Sequence, residues 1–439
     1  MEINRLNGVE RMQNSKVIAV VAVAVLLIAG IAGAAFIIGD DSSPYRSDND
    51  AGRLMIYGNA NNDDYLDEKD VTVLEEMIDS GVWDESKAPL ADANQDGVID
   101  SKDVDMVKRM VDREPMDIYY QGWDFKTPAV KKVGYPIKTC VVTGSNPLMA
   151  VKSIGATDRI VGASISTSTL DRVLYSDIYD HVPDVGKNSI ITVVPEEFSK
   201  VNDKTPVDAI ITMNSASYVK NEDTFLKSGV DVVRVAASDG LDSINAYITL
   251  GYLLECEERA NEFAHFCDDL VKDIEKRLEG VERKTSLSVT MTNSVSGLGS
   301  DYAEAVALAG GKDIADWNGS RNFKTGEEWL YEYPAQYIMH VRSMGLDSVD
   351  KQNEWDTRAV YFKNTVAYKD GHYYMINGSM PVALRIAYMA QTFNPEIFGD
   401  GYGDGYLQQY LDRFMDNLSG QYDVKTQFTS VISIDEVDG

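Results

Sequence analysis

The sequence reads as an α/β protein of two lobes joined by a long helical segment, with a small all-α module and one transmembrane helix ahead of them. Three observations lead there. An unbroken apolar run near the N-terminus is long enough to cross a bilayer. A loop–helix pattern repeats itself between residues 53 and 115. From Lys138 onward short apolar runs alternate with helical stretches, interrupted by nearly forty residues of helical periodicity.

At 439 residues the chain exceeds one ordinary core, so two to three domains are expected. Formal net charge is -29, with acidic residues spread along the chain rather than gathered in a tail. Such a field repels nucleic acid and favours cations or cationic surfaces, so nucleic-acid binding is set aside. Changes of pattern divide the chain as follows: 1–50 anchor and tether, 51–115 repeat module, 116–136 linker, 137–240 first lobe, 241–280 linking helical segment, 281–420 second lobe, 421–439 tail.

Val17 to Ile38 is an uninterrupted run of apolar and small residues. Its twenty-two residues span about 33 Å as a helix, longer than the usual signal-peptide core of about 7–15 residues. Arg5, Arg11 and Lys16 precede it, and Asp40 and Asp41 follow. The positive-inside bias makes this a single-pass cell-membrane anchor, with residues after 40 on the extracellular face. Ala32-Gly33-Ala34 resembles a cleavage site, so a removed signal segment stands as the alternative. Residues 40–52 are polar and turn-rich, a short solvated tether. Of the cysteines, Cys140 stands apart, and Cys256 and Cys267 lie about 16 Å from each other on one helical stretch. A disulfide needs Cα atoms within about 7 Å, so free thiols are expected.

Within the repeat, Asp92, Asn94, Asp96, Asp100 and Asp103 place oxygen-bearing side chains at loop positions 1, 3, 5, 9 and 12, with Gly97 at the sharp turn of position 6. A hard cation such as Ca²⁺ takes six to eight oxygens from such a loop, in the manner of an EF-hand. Thirty-three residues earlier, Asn59, Asn61, Asp63, Asp67 and Asp70 occupy the same five positions. An apolar-periodic helix follows each loop, through Val71, Leu74, Met77 and Ile78, and through Val104, Val107, Met110 and Val111. Position 12 is Asp rather than Glu, and only one helix accompanies each loop. In these features residues 53–115 resemble a type I dockerin module, which implies two Ca²⁺-stabilised loop–helix units and docking to a cohesin. The first loop departs from the pattern, with Asn59 at position 1 and Asp64 at position 6. Glu68-Lys69 and Ser101-Lys102 replace the small hydroxylated pairs of the family, which alters the surface a cohesin would meet.

Strands are expected at Thr139–Thr143, Arg159–Ala163, Val207–Met213 and Val230–Val235. The segment Leu241 to Leu278 then carries helical stripes, with a bend near Cys256. Alternation resumes with strands at Ser286–Met291, Gln336–Val341 and Ala359–Phe362, and the chain closes with helices. Short apolar strands separated by helices indicate parallel sheets. Several motifs keep a particular order: Ser153-Ile-Gly-Ala-Thr-Asp-Arg-Ile-Val-Gly162, Val182-Pro-Asp-Val-Gly186, Thr205-Pro-Val-Asp-Ala-Ile-Ile211, Glu257-Glu-Arg-Ala260, Ala309-Gly-Gly-Lys312, Tyr333-Pro-Ala-Gln-Tyr-Ile338 and Val366-Ala-Tyr-Lys-Asp-Gly-His-Tyr-Tyr374. Over about 280 residues they resemble the helix-linked (class III) solute-binding proteins of the iron-siderophore and cobalamin ABC transporters. That resemblance implies two Rossmann-like lobes, a cleft ligand such as a ferric siderophore, haem or a cobalamin, and delivery to an ABC permease and its ATPase.

Ligands in open α/β sheets sit beyond the carboxyl ends of the strands. Loop residues near those ends are therefore the candidates: Asn146, Ser166, Tyr218, Ser296, Tyr302, Trp329 and Arg385. An arginine there can pair a carboxylate or catecholate, and aromatics can cover a planar macrocycle. His181, His265, His340 and His372 are scattered, which favours an organic chelate over a bare ion. By resemblance an acidic residue on each lobe docks the permease: Glu196, with Glu197 equally arguable, and Glu327. No Ser-His-Asp order, Walker loop or zinc helix motif is present, and an enzyme is not expected. A cell-surface scaffold built on the dockerin-like module, and a degenerate sensor lobe, are the alternative readings.

Overall fold

The computed structural model describes residues 50–436, apart from 126, 238–239, 292–293, 298–299, 316–321, 343–344 and 347–349. The apolar run Val17–Ile38 lies outside the described residues. Among those described, no helix is long and apolar enough to cross a membrane.

The sequence repeat is a structural repeat down to its hydrogen bonds. Helices α1 (Glu68–Ser80) and α2 (Ser101–Val111) begin at N-caps Asp67 and Asp100. Asp70 and Asp103 reach back to accept the N-cap N–H at 2.9 Å in both copies. They also accept the N–H of Asn61 and Asn94, at 3.2 Å in both. Each capping box satisfies backbone donors that a helix start leaves open. Val71, Leu74 and Met77 of α1 and Val104, Val107 and Met110 of α2 are buried.

Residues 116–136 are not the expected linker. They form an antiparallel hairpin, β1 (Met116–Asp124) with β2 (Thr127–Tyr135), in register from Met116↔Tyr135 to Asp124↔Thr127. Alternation is the cause: Ile118 and Tyr120 face inward from β1, Val133 and Tyr135 from β2.

The first lobe holds β3 (Cys140–Val142), α3 (Ser145–Ser153), β4 (Ile160–Ala163), α4 (Thr169–Leu174), α5 (Ser176–Tyr179), α6 (Pro195–Asn202), β5 (Ala209–Met213), α7 (Glu222–Leu226) and β6 (Asp231–Val235). Its sheet is parallel in the order β4-β3-β5-β6. The edge strand β6 is covered by the hairpin, where the Gly134 N–H donates to Asp231 at 2.8 Å. An uncovered edge would leave a row of unpaired backbone groups.

The linking segment is two helices rather than one: α8 (Ser243–Leu253) and α9 (Glu257–Arg277). The chain turns at Leu254–Cys256, with Glu255 left-handed at φ 56°. A Cβ on Gly251 would come within 2.3 Å of the Ala260 methyl, so only glycine lets α8 lie this close to α9. The 21 residues of α9 span about 32 Å and join the lobes.

The second lobe contains β7 (Lys284–Met291), β8 (Ser294–Ser296), α10 (Asp301–Leu308), β9 (Gly311–Asp313), β10 (Asn322–Lys324), α11 (Glu327–Glu332), β11 (Tyr337–Arg342), α12 (Lys351–Thr357), α13 (Val366–Lys369), β12 (Tyr373–Asn377), α14 (Val382–Phe393), α15 (Pro395–Phe398), α16 (Tyr402–Phe414), α17 (Val424–Gln427) and β13 (Val431–Ser433). Its parallel strands run β9-β7-β11-β12, repeating the first lobe strand for strand. Antiparallel β8, β10 and β13 extend it, so the stretch read as a tail is part of this sheet. The strand expected at Ala359–Phe362 is a 3₁₀ turn, which buries Ala359 and Phe362 at the three-residue spacing of that helix.

Candidate functional site

At the carboxyl end of the first sheet, Gly144 closes β3 with φ 100° and leads into Ser145 and Asn146 on the first turn of α3. A Cβ on Gly144 would come within 2.8 Å of the Tyr218 ring, so glycine is what lets Tyr218 pack there. Ser166 follows β4 and is buried; its hydroxyl accepts from the Ser168 N–H at 3.1 Å. Between them lies a residue that sequence reasoning missed. Asp171, 4% exposed, accepts a hydrogen bond from the Ser145 hydroxyl at 2.9 Å. Burial pushes its carboxyl above the ordinary range, and the Ser166 and Ser145 hydrogen bonds offset part of this. No ion pair to it exists among the described residues.

In the second lobe, α14 begins just past the carboxyl end of β12 and carries Arg385 in its first turn. Arg385 is 6% exposed, its guanidinium lies 5.7 Å from the Tyr302 ring centroid, and its Nε has no hydrogen-bond partner. Among the described residues it has no ion-pair partner either. The Tyr247 hydroxyl on α8, also buried without a partner, is close enough to feel the Arg385 charge. The structure thus brings Tyr302 and Arg385 together. Ser296 is not on an open loop: it ends β8, fully buried, with its hydroxyl unpartnered. The Trp329 ring is committed to Tyr333, stacked at 5.2 Å, and to Phe323, edge-on at 5.8 Å.

No family model matches the sequence, and no curated protein does. Solved structures do match. Helicobacter pylori CeuE in its nickel–histidine complex is similar with a TM-score of 0.55 and 14% identity, over 72% of this chain and 100% of CeuE. MolA of Haemophilus influenzae, bound to molybdate, gives 0.52 and 16%, over 68% of this chain and 97% of MolA. A periplasmic solute-binding protein of Veillonella parvula gives 0.51 and 16%, over 71% and 97%. The chain has the periplasmic binding-protein fold.

In that fold the docking candidates fall at equivalent places. Glu196 and Glu197 open α6, which leads into β5; Glu327 opens α11, which leads into β11, the equivalent strand of the other lobe. The structure separates the first two. Glu197 lies 2.7 Å from Lys200 and 3.0 Å from Lys187, and these lysines hold its carboxyl below the ordinary range. Glu196 and Glu327 are exposed, with no ion pair among the described residues.

The two loops of the repeat differ in their interiors. In the second, Gly97 is left-handed at φ 86°; the Asp92 carboxylate accepts its N–H at 2.8 Å, and Asn94 accepts the Asp96 N–H at 2.8 Å. The Lys102 ammonium sits 3.2 Å from Asp96 and 3.1 Å from Asp100. In the first, the buried Asn59 amide donates to the Leu54 and Asp63 carbonyls at 2.7 and 2.8 Å, and the Asn61 amide to the Asp63 carboxylate at 2.6 Å. The Asn61 oxygen accepts the Asp63 N–H at 2.9 Å, and the Asn59 oxygen is buried without a partner among the described residues. Asp64 is not left-handed and makes contacts glycine could not: its carboxylate is 3.6 Å from His265 of α9. Asn261 of α9 donates to its carbonyl at 3.4 Å. Among the described residues, no three His, Cys, Asp or Glu side chains converge to hold a metal.

Proposed function

We propose that this chain is an extracytoplasmic receptor that captures an anionic metal chelate between its lobes and passes it to an ABC permease driven by an ATPase. The observation that carries this is Arg385: a buried guanidinium with no opposite charge among the described residues, at the ligand end of a binding-protein sheet. A buried unpaired cation is costly, and an incoming carboxylate or catecholate would supply the missing partner. Tyr302 beneath it and the free Tyr247 hydroxyl add an aromatic face and a hydrogen-bond donor. Glu196 and Glu327, one per lobe and unpaired, are the proposed permease contacts, orienting the complex more than tightening it. The run Val17–Ile38 is proposed as the membrane anchor.

The test is thermal unfolding of the full chain against ferric siderophores, haemin, cobalamins and free metal ions. A chelate at 100 times its dissociation constant adds about 2.7 kcal/mol, a shift of a few degrees. No shift with any of them defeats the receptor reading. Calcium is proposed at the second loop alone, held by Asp92, Asn94, Asp96, Asp100 and Asp103. Calorimetric titration of the EGTA-treated chain should find one site, lost in Asp92→Ala. Two sites, or none, would refute it.

A further inference from the structure

The hairpin β1–β2 does more than cover a sheet edge. At its tip Phe125 is left-handed, with φ 54°, as the first residue of a two-residue hairpin turn takes, and the residue is 42% exposed. Against its ring face lies Arg234 of β6, whose guanidinium is 4.7 Å from the Phe125 ring centroid. Arg234 is 2% exposed, the largest fully buried side chain of the described structure. Its partners are nearly all on the turn after β5. It donates to the carbonyls of Met213 (3.0 Å), Ser215 (3.3 Å), Tyr218 (3.2 Å) and Val219 (3.4 Å), and twice to Glu222, at 2.8 and 2.6 Å. From the same hairpin, the buried Tyr120 lies within electrostatic range of Arg234.

We infer that Arg234, roofed by Phe125, is a positioning residue that fixes the 213–219 loop and thereby sets Tyr218 against Gly144 at the ligand end of the sheet. One guanidinium draws four carbonyls of a single turn toward itself, a geometry a lysine ammonium cannot reproduce. The Phe125 ring adds a cation–π contact that holds the guanidinium over the turn. The hairpin also bridges Ile56 of the repeat module through Tyr120, so the module, the hairpin and this loop form one braced unit. The inference rests on the receptor reading for its purpose, but its test needs no ligand.

Hydrogen–deuterium exchange of the full chain reads it. Phe125→Ala should raise exchange of the 213–219 amides by roughly three- to tenfold, leaving the strands of the second lobe unchanged. Phe125→Tyr keeps the ring face and should restore wild-type protection. Phe125→Gly relieves the left-handed backbone yet loses the ring, so it should loosen the loop as alanine does. Unchanged 213–219 exchange in Phe125→Ala, wild-type protection in Phe125→Gly, or a rise spread evenly over the whole first lobe would each overturn the inference.

Discussion

Asp171 and Arg385 are buried ionisable groups, an acid and a base, one in each lobe, and neither has an opposite charge against it among the described residues. The sequence offers Arg385 as a loop residue beyond a strand end; it stands instead in the first turn of α14, buried. Asp171 was missed because Ser168-Thr-Leu-Asp171 has the spacing of a helix N-cap, and Ser168 does accept from the Asp171 N–H at 3.4 Å. The pattern accounted for the residue and concealed its carboxylate. Tyr247 was hidden similarly, as one more apolar-stripe residue of α8. For Asp171 the linkage has a definite sign. Burial raises its folded pKa above the unfolded value, so the native state keeps a proton that the unfolded chain has lost. Its contribution to stability is full below the ordinary carboxylate pKa of about 4 and is lost as pH rises through the higher folded value. Asp171→Asn should flatten that fall and stabilise the ligand-free chain at neutral pH by about 1 kcal/mol, read by denaturant unfolding at several pH values. An unchanged pH profile would show that this carboxylate is not desolvated.

The parallel strands were readable wherever a continuous apolar run was buried on both faces, as at β3, β5 and β11. The three-residue strands β8, β9, β10 and β13 are too short to carry a period. The hairpin escaped because Lys131, Lys132, Gly122 and Pro128 dilute its alternation. The turn between α8 and α9 was foreseen as a bend, but the close packing that follows depends on Gly251 meeting Ala260, a tertiary fact. Tyr252 on α8 joins this region to the repeat module. It stacks on Tyr135 at 5.0 Å, lies under the Arg113 guanidinium at 4.7 Å, and donates to the Met110 carbonyl at 3.2 Å. Tyr252→Ala should cost about 3 kcal/mol or more. It should also open residues 112–136 to native-state proteolysis that leaves the wild-type chain intact there. Identical cleavage in both would mean that the module is held elsewhere.

One buried core runs from Leu54 and Ile56 of the module through Tyr252 and Phe263 of the linking helices to Met389 and Phe414 of the second lobe. Two ties between the lobes stand out among the described residues. Besides α9, the C-terminal helix α16 returns to the first lobe, where the Tyr410 hydroxyl meets Ser153 at 3.0 Å; just beyond it, Asn417 donates to Ser176 at 3.2 Å. Two ties favour small adjustments over wide hinge closure. In the proposed receptor, recognition would use charges already in place rather than assembled by closure. Titration of the full chain with an anionic ferric catecholate and a neutral ferric hydroxamate, followed by protein fluorescence, tests this most directly. The catecholate should quench saturably, and Arg385→Gln should weaken it by about thirtyfold or more while sparing any hydroxamate binding. Catecholate binding unaffected by Arg385→Gln, or no saturable quenching by either chelate, would contradict an arginine-centred receptor for anionic chelates.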